Sequence, residues 1–176
     1  MVIFVSPLSA VETVIDTHRP SRLISLLNPE EMIDTPAGVA PDRHLRLGMN
    51  DIAQPMLGLD APTEVHVGNL LSFVKDWNGD GAMLVHCWAG VSRSTAAAFI
   101  SLCVLNDTVP EQDLAARLRQ AAAHASPNRL LVALADDLLG RQGRMVDAID
   151  AMGPATMVWE GKVFELPARV VPKTVD

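Results

Sequence analysis

The stretch 82–105 constrains the fold more than any other part of the chain. Residues 82–86 are short and apolar almost throughout, residues 87–92 form a glycine-containing loop, and residues 93–105 continue as a long apolar segment. A brief apolar run preceded by the turn-forming Asn78-Gly79-Asp80-Gly81 predicts a strand buried on both faces, as central parallel strands are. The segment after the loop is too hydrophobic on all sides to lie on a surface, so it predicts a buried helix. A buried strand feeding a buried helix argues for a layered α/β architecture.

The rest of the chain fits that frame. Residues 2–5 read as a first short strand, and residues 7–17 as a helix with Ser6 as N-cap and Pro7 at its first position. Residues 23–27 are an apolar strand ended by Asn28-Pro29, and residues 29–43, rich in prolines and acids, read as an exposed, solvated loop with one helical turn. Residues 44–47 alternate as another strand. Thr63 can cap a helix running to Trp77, and residues 110–123 and 127–139 read as two further helices, followed by a last short one. Residues 156–166 alternate around Glu160-Gly161 and predict a terminal hairpin, read as a structural cover, with a dimer contact or a lid as the lesser readings; the final ten residues, with two prolines, read as a loose tail. The expected fold is α/β: a central, mostly parallel twisted sheet with helices on both faces, a C-terminal helical cluster and a short terminal hairpin. With no repeat and no linker, the 176 residues are read as a single domain: an N-terminal extension (1–21), a core (22–140), and a C-terminal helix and tail (141–176).

Composition narrows the partners. The chain is 49% hydrophobic with a formal net charge of -7 and only seven aromatic residues, none of them Tyr, so it lacks the basic face and stacking rings of a nucleic-acid binder. Two cysteines cannot make a disulfide scaffold, which points to free thiols in a reducing compartment. Residues 1–5 are too short for a signal-peptide core, and the longest apolar stretch is well short of the ~20 residues that span a bilayer. A cytoplasmic protein without membrane contact is expected; the sequence does not specify an oligomeric state.

The chemistry lies in Leu84-Val85-His86-Cys87-Trp88-Ala89-Gly90-Val91-Ser92-Arg93-Ser94. A tight loop between a strand end and a helix N-terminus turns successive backbone N–H groups, here those of Trp88, Ala89, Gly90, Val91, Ser92 and Arg93, into one anion-binding concavity favoured by the helix dipole. Gly90 supplies a positive φ that a residue with a Cβ resists. Arg93 can grip two phosphoryl oxygens through its planar fork. The same field stabilises negative charge on the sulfur of Cys87, giving a nucleophile that needs no general base. Cys103 lies ten residues into the apolar helix, some 15 Å from the loop by helical rise, and reads as a core thiol.

This segment resembles the loop of the cysteine-dependent protein tyrosine phosphatases of the dual-specificity type, in particular their small bacterial cytoplasmic members. The resemblance is tight over residues 84–98 and looser over about 22–140. It implies that Cys87 attacks phosphorus to form a phosphocysteine, that Arg93 binds the phosphoryl group, and that Ser94 gives its hydroxyl to the sulfur when water resolves the intermediate. It implies that His86 sits behind the loop, bonded to backbone and acting on the thiol. It further implies a general acid on a separate loop some thirty residues upstream. Asp51, 36 residues before Cys87 and paired with Asn50, is the first candidate, with Asp60 at 27 and Asp42 at 45 behind it. No metal or other cofactor is implied, and the five histidines are scattered singly; His18, His44, His66 and His124 read as ordinary surface or partly buried residues.

The resemblance implies a phosphorylated protein or small phosphomonoester as substrate. An inositol, lipid or sugar phosphate is the second reading, weakened because the loop holds no lysine; a phosphate-reading module without turnover is the third. Arsenate reduction would want a second reachable thiol, which Cys103 does not offer. Without Tyr, the aromatic wall that phosphotyrosine-specific enzymes carry must come from Trp88, a Phe, or an apolar residue such as Met49, and a shallow pocket is expected. Trp88 reads equally as a packing residue behind the loop or as part of the pocket rim.

Overall fold

The computed structural model describes residues 1–170. Five strands, β1 (Val2–Pro7), β2 (Arg22–Leu27), β3 (His44–Gly48), β4 (Met83–Cys87) and β5 (Phe164–Pro167), form one sheet in the order β3-β2-β4-β1-β5. The first four are mutually parallel and β5 runs antiparallel to β1. Among the described residues six α-helices accompany them: α1 (Val11–His18), α2 (Glu64–Lys75), α3 (Arg93–Leu105), α4 (Glu111–Ala121), α5 (Arg129–Leu138) and α6 (Arg144–Ala151).

Side-chain alternation along the strands divides the core in two. Phe4, Leu23 and Leu84 point to one face, where Val11, Val14 and Ile15 of α1 cover them. Ile3, Val5, Ile24, Leu26, Met83, Val85 and Cys87 point to the other, beneath the helices that follow β3. There α3 is buried along its length apart from Val104, as its uniform hydrophobicity predicts. Thr63 caps α2 in a reciprocal capping box with His66.

Three sequence expectations need correction. Ser6 does not cap a helix: β1 continues through Pro7, held in register with β4 by Ser6↔His86 and Pro7↔Cys87, and α1 begins only after a 3-10 turn over Leu8–Ala10. Pairing with the central strand overrides the local cap signal. For the same reason residues 1–21 are not an appendage, since they supply a strand between β4 and β5. The terminal hairpin is absent as well. Only residues 164–167 are strand, and their partner is β1, with Val2↔Pro167 and Val5↔Phe164 in register. The reading of the last ten residues as loose falls, for residues 171–176, outside the described residues. No helix among the described residues is long and apolar enough to cross a membrane.

Candidate active site

β4 and α3 are joined by residues 88–92 at the C-terminal edge of the parallel strands, the position at which open α/β sheets present ligand sites. Cys87 closes β4, turned by the strand's period of two toward the α3 side, and is buried. Its Sγ lies 3.2 Å from the Oγ of Ser94, one helical residue beyond Arg93. Gly90 has φ +71°, and a Cβ there would stand 2.6 Å from the backbone nitrogen of Pro7. The loop is pressed that closely against the end of β1, with Leu8 N–H donating to the Trp88 carbonyl at 3.0 Å.

Among the described residues, the backbone N–H groups of Ala89, Gly90, Val91 and Ser92 donate to no carbonyl or side chain. Ser92, at the N-cap of α3, leaves the helix end uncapped and donates its hydroxyl to Asp51 Oδ1 at 2.7 Å. Unpaired donors therefore lie beside the N-terminus of α3, where the helix dipole is positive.

Arg93 is almost fully buried, and its guanidinium is fixed from behind: Nη1 donates to the Met49 carbonyl at 2.6 Å and to Asn28 Oδ1 at 2.9 Å. Its Nε has no hydrogen-bond partner among the described residues and lies 3.8 Å from Asp51 Oδ2. A buried charged donor left over in this way is costly unless an acceptor is brought to it. Asp51 is held by Ser92 and by Asn128, whose Nδ2 donates to the same Oδ1 at 2.8 Å while its own Oδ1 caps α5 at Leu131 N–H. Asp60 is not part of this arrangement; its backbone exchanges hydrogen bonds with Asn50, closing the loop that carries Asp51. Asp42 sits beside Arg43 on the surface.

Behind the loop runs a buried polar chain. His86 Nε2 is 2.6 Å from Ser25 Oγ, Ser25 Oγ is 2.8 Å from His44 Nε2, and His44 Nδ1 is 3.0 Å from Thr35 Oγ1. His86 Nδ1 faces the Cys87 carbonyl at 3.4 Å. One assignment of protons satisfies every member. Thr35 donates to His44, His44 to Ser25, Ser25 to His86, and His86 to the carbonyl of Cys87, with both rings neutral. Burial enforces neutrality by pushing each imidazole down to about 4. His44 is thus a buried supporting residue and not the ordinary surface or partly buried one its sequence context implies. Cys103 is buried in α3, and desolvation raises its thiol above the ordinary range.

The loop opens into a cleft of about 470 Å³ lined by Asn28, Glu31, Asn50, Asp51, Ile52, Leu59, Trp88, Ala89, Arg93 and Trp159. Arg93 is its single cation among the described residues, set against the carboxylates of Glu31 and Asp51. Trp88 belongs to the rim, 41% exposed, whereas Met49 is fully buried and cannot be a pocket wall. Trp159, Asn128, Asn28 and Ser25 were not singled out by the sequence. Asn128 does follow Pro127 at a helix start, the position where a side-chain amide caps, but nothing local ties it to Asp51. Among the described residues no group of three or more His, Cys, Asp or Glu side chains is placed to hold a metal ion.

No protein-family model matches the sequence, and no curated protein matches it. Solved structures do. DUSP15 superposes with a TM-score of 0.61 at 14% identity over 85% of this chain and 89% of that one. Human DUSP28 gives 0.59 at 18% identity over 86% and 95%. PTPMT1 in complex with PI(5)P gives 0.57 at 17% identity over 80% and 94%. At these identities it is the architecture that is shared: the chain has the α/β fold of the dual-specificity and related protein tyrosine phosphatases.

Proposed function

We propose that the protein hydrolyses phosphomonoesters through a phosphocysteine on Cys87. The observation that carries this reading is the loop itself: a thiol at its floor, unpaired N–H groups along residues 89–92, and a buried Arg93 Nε without a partner. Those donors suit the equatorial oxygens of a phosphoryl group, whose charge they would meet in the transition state. The sulfur of Cys87 forms the S–P bond as the ester P–O bond breaks, and Asp51 passes its proton to the leaving oxygen. Water then attacks phosphorus, Asp51 takes its proton, and the S–P bond breaks with the Ser94 hydroxyl donating to the departing sulfur, 3.2 Å away. Asp51 is preferred to Asp60 because its carboxylate lies against Ser92 and near Arg93 at the mouth of the loop.

The substrate is a phosphorylated tyrosine in protein or peptide, with phosphoserine and phosphothreonine as lesser substrates, in a protein working in the cytoplasm. A phosphoinositide is the second reading, since PTPMT1 has been captured with PI(5)P. Against it stands the balance of charge: one cation and two carboxylates line the cleft, whereas additional phosphates need additional cations.

Hydrolysis of an aryl phosphate tests the proposal. It should persist in chelator, stop with vanadate and vanish in Cys87→Ser; turnover by that variant at the wild-type rate overturns the mechanism. Asp51→Asn should lower turnover on poor leaving groups by about 10² or more. The same loss in Asp60→Asn, with Asp51→Asn unaffected, would transfer the acid to Asp60.

A further inference from the structure

We infer that Trp159, together with Trp88, forms an aromatic wall of the phosphoryl cleft that selects esters whose phosphate is carried on an aromatic ring. The inference deepens the phosphatase reading and rests on it for the location of the phosphoryl group. Trp88 belongs to the loop, whereas Trp159 comes from the segment that follows α6, far from it in sequence.

That segment is tied to the loop on both sides of Trp159. Thr156 N–H donates to the Ala123 carbonyl at 2.9 Å, and Gly161 N–H donates to the carbonyl of Ala89, inside the loop, at 2.8 Å. Gly161 permits this approach: a Cβ there would lie 3.0 Å from the Gly90 carbonyl oxygen and 2.5 Å from His124 Nε2. Between these ties the indole of Trp159 stands edge-on to that of Trp88, with ring centroids 6.5 Å apart.

The two rings are held and yet left in solvent. Trp159 is 86% exposed, although a large aromatic ring is among the side chains that gain most from burial. Leu59, also exposed, lines the same cleft. Apolar surface concentrated around one concavity marks a binding site more often than chance exposure does. A ligand that satisfies this cleft therefore has a single anionic group for Arg93 and a flat apolar body for the indoles. A phosphotyrosine side chain has both, whereas phosphoserine ends in a short aliphatic stem and a polyphosphorylated headgroup brings charge where the walls are apolar or acidic.

Titration calorimetry on the full chain, with vanadate, phenylphosphonate and methylphosphonate as ligands, tests the wall. The wild type should bind phenylphosphonate about tenfold more tightly than methylphosphonate. Trp159→Ala should remove that preference, and Trp159→Phe should restore most of it. In steady-state kinetics, the ratio of kcat/KM for a phosphotyrosine peptide over its phosphoserine counterpart should fall about tenfold in Trp159→Ala, through KM rather than kcat. Vanadate binding without a phenyl preference in the wild type, or a preference that survives Trp159→Ala, overturns the wall and leaves the phosphate site standing. Failure to bind vanadate as well as both phosphonates overturns the phosphate site and the wall together.

Discussion

The side-chain amide of Asn128 donates to Asp51 Oδ1 at 2.8 Å across 77 residues of sequence, linking the start of α5 to the loop after β3. The same side chain caps α5 through Leu131 N–H. These two duties can be separated. Asn128→Ala removes both, and should cost about 1 kcal/mol of stability from the lost cap, a fall of some 2–4 °C in Tm. It should also lower kcat on alkyl phosphates by about tenfold while affecting a nitrophenyl ester less, because an easy leaving group needs less protonation. Asn128→Asp keeps a capping oxygen but sets a buried carboxylate against Asp51, so turnover should still fall, and any loss of stability then reports like-charge repulsion and not a lost cap. Equal turnover by the wild type and Asn128→Asp would mean that Asp51 needs no positioning from α5.

Ser94 is predicted to act on the second half of the reaction. Its Oγ touches Cys87 Sγ and makes no other side-chain hydrogen bond among the described residues, so removing it should leave formation of the phosphocysteine nearly intact and slow its hydrolysis. In Ser94→Ala, rapid mixing with nitrophenyl phosphate should reveal a burst of one equivalent of nitrophenolate followed by steady-state turnover reduced by about 10- to 100-fold. A variant that is slow from the first turnover, with no burst, would assign Ser94 to the first step.

How far these relationships could be read from the sequence depended on how local they are. The strand-loop-helix unit was fully legible, because Cys87, the loop and Arg93 are consecutive and their hydropathy alone marks a buried strand and a buried helix. Asp51 could be named first from spacing, with Asp60 behind it, but its contacts with Ser92 and Asn128 come from distant parts of the chain and no local signal announces them. Ser25, His44 and His86 come from three neighbouring strands, and strand order is what aligns them. His44 therefore passed for an ordinary residue. The error over residues 156–166 has the same origin. Their alternation is real, but β5 finds its partner in β1, more than 150 residues away, and not in the preceding segment.

The histidine chain predicts an acid limit on stability. His86 and His44 titrate near 6.5 when unfolded and are pushed down to about 4 by burial in the folded protein. Between those values the unfolded chain binds more protons, so stability is full above about pH 6.5 and falls as pH drops toward 4. The His86 shift alone corresponds to roughly 3 kcal/mol lost by pH 4. Urea unfolding across pH 4–7 should display this slope, and His86→Gln should flatten it while lowering stability at pH 7. A wild-type profile that is level over that range would show that the rings are not held neutral.

The C-terminal segment cannot be removed as a simple lid. Truncation after Met152 would delete β5, leaving β1 as an unprotected edge and removing the burial of Leu166 and Ala168 along with the two bonds that Asn106 makes to the Ala168 carbonyl and the Val170 N–H. Loss of the leucine alone is worth about 2 kcal/mol, and with the ladder and the Asn106 bonds the total should reach roughly 3–5 kcal/mol. For a chain of this size that is a fall of about 10 °C or more in Tm, so activity lost by the truncated protein would report unfolding and not gating. Gly161→Ala is the finer cut. It leaves β5 paired with β1 and crowds the Gly90 carbonyl, so it should displace the segment from the loop at a cost of only about 1–3 kcal/mol. If activity follows the segment's contact with Ala89, Gly161→Ala should lower kcat/KM severalfold at temperatures well below its Tm. An unchanged rate under those conditions would confine the segment's role to stability.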